Sequence, residues 1–298
     1  DTRLDGWDGC SGYHYSDEYI YGFSHTHLSG TGVPDYCDIL FMPFSGEVLL
    51  NNGADGKPGY RSKFSHQYET AGAGYYSVEL EKDGIKAELT ATARVGMHAY
   101  TFQKNKTQRI LIDLFHRDKV TDSWLEITDT NEIAGYRGSS SWARDQRLYF
   151  VAQFSKPFSS TGIAADDEKI PFSGKVASKN LKAWLEFEKS GSETIVIKVG
   201  LSATSIENAR LNLMTEAPGW DFNETRHRAR SLWENELNKI SVKEGSKDEK
   251  TVFYTALYHT MISPNIYNDV DGTFLGRDLQ PHKNTQNNYY TVFSLWDT

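Results

Sequence analysis

The chain has 298 residues, with 40 acidic against 32 basic side chains and a formal net charge of −8. That balance argues against a general nucleic-acid binder, which needs a basic face to neutralise phosphates. Hydrophobic residues at 38% and charged residues at 24% fit a globular protein, and no run approaches the roughly 18 apolar residues of a membrane span.

A chain of this length buries roughly three quarters of its unfolded surface, so it needs no disulfide framework. Its two cysteines, Cys10 and Cys37, can bridge, but two free buried thiols are the favoured reading. No paired-cysteine metal motif is present. The first residues, Asp1 to Asp5, have no apolar core of the signal-peptide kind. Aromatic residues reach 13%. Tyr and Trp carry apolar faces and polar tips that suit sugar rings, although a β-rich core uses them as readily.

The pattern up to about residue 203 has period two. Asp38–Met42, Tyr75–Leu80, Ile110–Leu114, Leu148–Phe154, Leu181–Phe187 and Ile195–Leu201 read as strands. From Ile85 to Val95 apolar residues hold the odd positions, and Asp83-Gly84 marks a hairpin turn before them. Many strands with Gly-rich turns imply an antiparallel β-sandwich. After residue 203 the period becomes helical. Ser205 caps a helix to about Glu216, stopped by Pro218-Gly219. A second helix carries Phe222, Arg226, Ala229, Trp233, Leu237 and Ile240 on one face and is closed by Gly245. A third, about Asp248 to Ile262, is apolar on most sides and is expected to pack against something beyond this chain. Pro264 to Thr298 is polar and without periodicity, and it stops within an apolar-aromatic pattern.

Chemistry-bearing residues gather at the two ends. Trp7, Asp8, Tyr13, His14 and Tyr15 precede Gly22-Phe23-Ser24-His25-Thr26-His27-Leu28-Ser29-Gly30-Thr31-Gly32. His25 and His27 share a face of an extended backbone and could hold a metal with a third ligand, but a polar loop hydrogen-bonding its neighbours or a ligand is the simpler reading. No nucleophile elbow is present. Asp5, Asp8, Asp35, Asp38, Asp271 and Asp297 are the carboxylates of interest. A glycosidase needs two at a fixed separation, which spacing cannot supply. Trp296-Asp297 stands out, because an indole beside a carboxylate offers a sugar a stacking face and an acceptor for two vicinal hydroxyls.

These residues resemble the N-terminal region of glycoside hydrolase family 92. The resemblance rests on Asp5-Gly6-Trp7, Gly12-Tyr13-His14-Tyr15 and the Gly22–Gly32 stretch. It continues in Asp38–Pro43, Phe64-Ser65-His66, Gly74-Tyr75-Tyr76, Ala87–Thr92, Phe253–His259, Asp269-Val270-Asp271-Gly272 and Phe293–Thr298. It implies a calcium-dependent, inverting, exo-acting α-mannosidase that removes terminal α-mannosides from glycans. It also implies an order of domains: a β-sandwich over residues 1–203 with its first strands missing, helical linkers over 204–262, and the beginning of a truncated (α/α)6 barrel over 263–298.

The resemblance places the general acid, the general base and most calcium ligands beyond Thr298, so no catalytic residue and no metal ligand is expected here. Trp7, His25, His27, Ser29, Gly30, Trp296 and Asp297 are the expected sugar-holding residues. Expected partners are mannose-containing glycans and the catalytic domain beyond the chain, with no nucleic acid. Expected location is the periplasm, the cell surface or the medium. Two other readings stay open: a stand-alone carbohydrate-binding module, and an enzyme using its own aspartates.

Overall fold

A computed structural model describes residues 1–3, 12–26, 39–189 and 193–291. In chain order the elements are β1 (Tyr19–Ile20), β2 (Leu40–Phe44), β3 (Ser62–Lys63), β4 (Glu69–Gly72), β5 (Tyr75–Leu80), β6 (Ile85–Ala91), β7 (Val95–Thr101), β8 (Gln108–Asp113), β9 (Lys119–Asp129), β10 (Glu132–Ser140), β11 (Gln146–Phe154), β12 (Phe158–Ala165), β13 (Glu168–Ile170), β14 (Lys175–Ala177), β15 (Leu181–Phe187) and β16 (Thr194–Ser202). There follow α1 (Ile206–Glu216), α2 (Phe222–Leu237), α3 (Lys247–His259), β17 (Asn265–Ile266), β18 (Thr273–Leu275), β19 (Pro281–Lys283) and β20 (Tyr290–Thr291).

Two antiparallel sheets face each other. One has nine strands in the order β14-β9-β10-β11-β16-β7-β6-β5-β4, the other five in the order β13-β12-β15-β8-β2. Their inner faces enclose a core that includes Phe41, Tyr100, Ile112, Phe150, Phe154, Leu185 and Ile197, the arrangement expected when each sheet buries its apolar face. The fold class is the expected mainly-β antiparallel sandwich followed by helices.

The Asp83-Gly84 turn joins β5 to β6 as expected, with Gly84 at φ +65°. The single strand expected from Ile85 to Val95 is instead two. β6 ends at Ala91, a turn occupies Thr92–Arg94, and β7 returns from Val95. The turn is closed by the Thr92 amide donating to the Val95 carbonyl. Alternating burial looked the same on both sides of the turn, so period alone could not show the reversal.

The outer face of the nine-stranded sheet carries a second core. Val95, Met97 and Val151 pack there against Ala209 and Leu213 of α1 and against Ala217, which caps it. Gly200 of β16 allows the close approach, since a Cβ there would lie 2.3 Å from the Ala209 carbonyl and 2.6 Å from Leu213 Cβ. Ser205 caps α1, its side chain accepting from the Asn208 amide. α2 ends at Leu237, before Ile240. α3 starts on a capping box between Ser246 and Glu249. No residue of α3 is buried, and Val252 is 69% exposed.

The segment after Pro264 is ordered into two small antiparallel pairs, β17 with β20 and β18 with β19. Phe274 and Tyr289 stack between them at 4.0 Å. Its order comes from side chains reaching the sandwich, a tertiary cause that leaves no periodicity in the sequence.

Candidate functional site

A cleft of about 1340 Å³ opens on the outer side of the nine-stranded sheet. Its floor is made by Ser24–Thr26 and the β6–β7 turn. Its walls come from α2 and the end of α3, and its far side from Asn265–Asp269 and Tyr290. Trp233 and Tyr258 stand together on the helical wall, with ring centroids 4.7 Å apart. Aromatic faces beside polar groups give a surface suited to the apolar faces of sugar rings.

Two carboxylates of the cleft are fully engaged. Glu216, at the end of α1, accepts from Arg94 Nη1 at 2.7 Å and from the Arg94 amide at 2.9 Å, and Thr92 also donates to it. Arg94 Nε in turn donates to the Asn268 carbonyl. Asp269, buried at 3% exposure, accepts from Ser202 Oγ at 2.9 Å, Thr204 Oγ1 at 2.7 Å, Asn208 Nδ2 at 2.8 Å and Asn212 Nδ2 at 2.7 Å. All four donors are neutral. The carboxylate lies among residues of the α1 N-terminus, whose dipole favours a negative charge. These two clusters fasten the segment after α3 to the sandwich.

At the floor, three rings form a line. His25 Nδ1 lies 2.9 Å from the Ile39 carbonyl, His25 Nε2 lies 2.9 Å from His98 Nε2, and His98 Nδ1 lies 2.6 Å from the Tyr100 hydroxyl. The geometry dictates the protons. A carbonyl only accepts, so His25 Nδ1 carries hydrogen. Neutral His25 then accepts at Nε2, His98 donates from Nε2, and Tyr100 donates to His98 Nδ1. Burial pushes the His25 pKa down to about 4 and holds that of His98 well below the ordinary range, where the neighbouring His25 acts in the same direction. Both rings line the cleft, His98 at only 3% exposure.

Of the residues expected to hold sugar, His25 lies on this floor, with both ring nitrogens hydrogen-bonded inside the protein. Trp7, His27, Ser29, Gly30, Trp296 and Asp297 lie outside the described residues, as do Cys10 and Cys37. Asp271 is turned to the segment's own turn, accepting from the Thr273 hydroxyl at 2.8 Å and from Lys283 at 3.0 Å. Sequence reasoning passed over Arg94, His98, Glu216 and Asn268. One signal was available: Gly96, His98 and Tyr100 share a face of β7 at two-residue steps, a polar pair on a side that should have been wholly apolar.

Calcium needs six to eight oxygen ligands. Among the described residues no group of three or more His, Cys, Asp or Glu is arranged to hold a metal; of the cleft carboxylates, Glu216 and Asp269 already have their donors and Glu236 pairs with Lys239. The described residues therefore do not fit the ion, and no step is routed through it.

Sequence comparison agrees with this architecture. Residues 1–202 match the Glycosyl hydrolase family 92 N-terminal domain and residues 208–298 match the Glycosyl hydrolase family 92 catalytic domain. The chain belongs to glycoside hydrolase family 92. It is 38% identical to the family GH92 alpha-mannosidase BT3965 from Bacteroides thetaiotaomicron, with a TM-score of 0.93 over 99% of this chain and 41% of that one. The same mannosidase is known in complex with mannoimidazole. The inverting mannosidase BT2199 from that organism, 24% identical, shares the fold at a TM-score of 0.84 over 98% of this chain and 38% of its own. An uncharacterized secreted glycosidase from Arthroderma benhamiae is 27% identical over 297 residues, covering 89% of this chain and 38% of its own length. The chain thus spans about two fifths of these relatives. No helix among the described residues is long and apolar enough to cross a membrane.

Proposed function

We propose that this chain acts in the hydrolysis of terminal α-mannosides of glycans, including N-glycans, by forming the sandwich side of a mannose subsite. One observation carries the reading: near-complete superposition, at 38% identity, on an α-mannosidase that binds mannoimidazole. The relatives' greater length and the match of residues 208–298 to the catalytic domain support placing the general acid and base outside residues 1–298. Of the three carboxylates on the described cleft, Glu216 and Asp269 are held by fixed donors, which makes each a poor general base, while Glu236 is exposed beside Lys239.

In this reading Trp7, Trp296 and Asp297 grip the terminal mannose and the His25–Gly30 loop shapes the subsite. Two carboxyls supplied from outside the chain perform a single displacement by water, separated widely enough to admit that water. Calcium belongs to the proposal through the family resemblance, with ligands mainly outside this chain. Action outside the cytoplasm, in the periplasm, at the cell surface or in the medium, is supported by the secreted relative.

The test is mannose release from α-linked mannobiosides by the polypeptide translated from the complete reading frame, with proton NMR of the first-formed anomer. Release of β-mannose that a calcium chelator stops is expected. Release of α-mannose first, or activity indifferent to the chelator, contradicts inversion or calcium dependence respectively.

A further inference from the structure

His25 sits where the two sheets come together at the mouth of the sandwich. Its Nδ1 reaches Ile39, the residue before β2 of the five-stranded sheet. Its Nε2 reaches His98 of β7 in the nine-stranded sheet. Phe23, two residues earlier, makes an isolated antiparallel bridge to Phe41 of β2. Gly96 leaves room for the ring, since a Cβ there would lie 2.8 Å from His25 Cδ2. Phe41 meets the His25 ring edge-on at 5.1 Å. The neighbours Ser24 and Thr26 line the cleft.

We propose that His98 is a positioning residue for the cleft: by donating from Nε2 to His25 Nε2, it holds the His25 ring as a strut between the two sheets, and so fixes Ser24–Thr26 on the cleft floor. This deepens the sugar-binding reading above and rests on it for its functional consequence. The strut depends on direction. A Tyr100 hydroxyl donating to His98 Nδ1 forces the His98 proton onto Nε2, and the Ile39 carbonyl forces the His25 proton onto Nδ1. Only this arrangement satisfies all three contacts with neutral rings. A proton added to His25 would put two N–H groups face to face across 2.9 Å, and one added to His98 would go on Nδ1, against the Tyr100 hydroxyl proton. The titratable groups acting on His98 are His25 and, by hydrogen bond, Tyr100. Burial and that second ring keep it neutral.

Long-range 15N–1H spectra of the full chain, labelled at histidine, read the tautomers at pH 7. The expected result is a proton on Nδ1 of His25 and on Nε2 of His98. A Nε2–H tautomer at His25 overturns the proposal. His98→Leu keeps an apolar side chain in the core but removes the donor, so the His25 Nε2 resonance should move to that of an unbonded pyridine-type nitrogen. His98→Gln keeps an N–H at the same reach and should restore the hydrogen-bonded resonance. In mannobioside hydrolysis by the complete polypeptide, His98→Leu should raise KM about tenfold with kcat within threefold, and His98→Gln should lie within twofold of the parent. Equal KM for His98→Leu and the parent overturns the proposal, as does a loss that Gln fails to rescue. If His98→Leu does not fold, His98→Met serves, with the same loss of the hydrogen-bonded His25 Nε2 resonance and the same KM rise expected; an unchanged resonance overturns the proposal. If the parent itself cleaves and binds no mannoside, the functional reading fails, while the tautomers still decide whether the strut exists.

Discussion

Asn212 of α1 and Asp269 of the segment after α3 meet with Nδ2 2.7 Å from Oδ1, and Asn212 Oδ1 accepts the Val270 amide at 2.9 Å. One helix residue thus reads both the side chain and the backbone of a segment 57 positions later. Asp269→Ala would leave four donors without their acceptor, three of them beside the start of α1. A hydrogen bond to a charged acceptor contributes about 1.5–3 kcal/mol, and losses within one network do not add. The expected cost is about 3 kcal/mol in urea unfolding. A loss below about 1 kcal/mol would show that the segment is held some other way.

Gly200 is the point where α1 rests on β16. A methyl group there meets the Ala209 carbonyl at 2.3 Å, and backbone cannot rotate away as a side chain can. Gly200→Ala should therefore cost about 2–3 kcal/mol, at the upper part of the range for overpacking. Unchanged stability would mean that α1 can shift outward freely.

The His98 ring predicts an acid limit to stability. Its folded pKa lies well below that of a free histidine, near 6.5. As pH falls below about 6.5 the unfolded chain takes up a proton that the folded one refuses, so stability declines by roughly 1.4 kcal/mol per pH unit for that group. Above pH 7 the group is neutral in both states and contributes no slope. His25, whose pKa burial pushes down to about 4, adds a slope of the same sign. Unfolding midpoints between pH 7.5 and 5 should fall more steeply for the parent than for His98→Gln. Equal slopes would show that His98 is protonated in the folded state.

The helix α3 leaves Val252 at 69% exposure and buries none of its residues. An amphiphilic dye such as anilinonaphthalene sulfonate should therefore fluoresce with the folded chain, and Val252→Glu should lower the signal without lowering the unfolding midpoint. A dark dye with the parent would mean that this face is covered in solution.

Those properties divide by how local their causes are. The strands β5, β8, β11, β15 and β16 were readable because their alternation reports directly which face is buried. Ser205, Pro218 and Gly84 marked their turns and ends because their backbone preferences are local. β9 and β10 were not picked out. Their sequences mix Asp122, Glu126, Arg137 and two glycines into the pattern, and Arg137 is buried at 2% exposure because three carbonyl and carboxylate oxygens take its donors. The order of Pro264–Thr291 was hidden for a related reason: Asp269 finds its donors in β16 and α1, far away in sequence. Within the candidate site, His25 was visible through its motif. Its dependence on His98 was not, because 73 residues separate them.

Residues 1–298 are proposed to hold mannose without the groups that cleave its glycosidic bond. The deciding measurement is mannose release from α-linked mannobiosides by the purified 298-residue chain, with calcium present and with a chelator added. No release is expected in either condition. Release by a sample whose intact mass shows this chain alone would contradict it, and would place the acid and base among these residues.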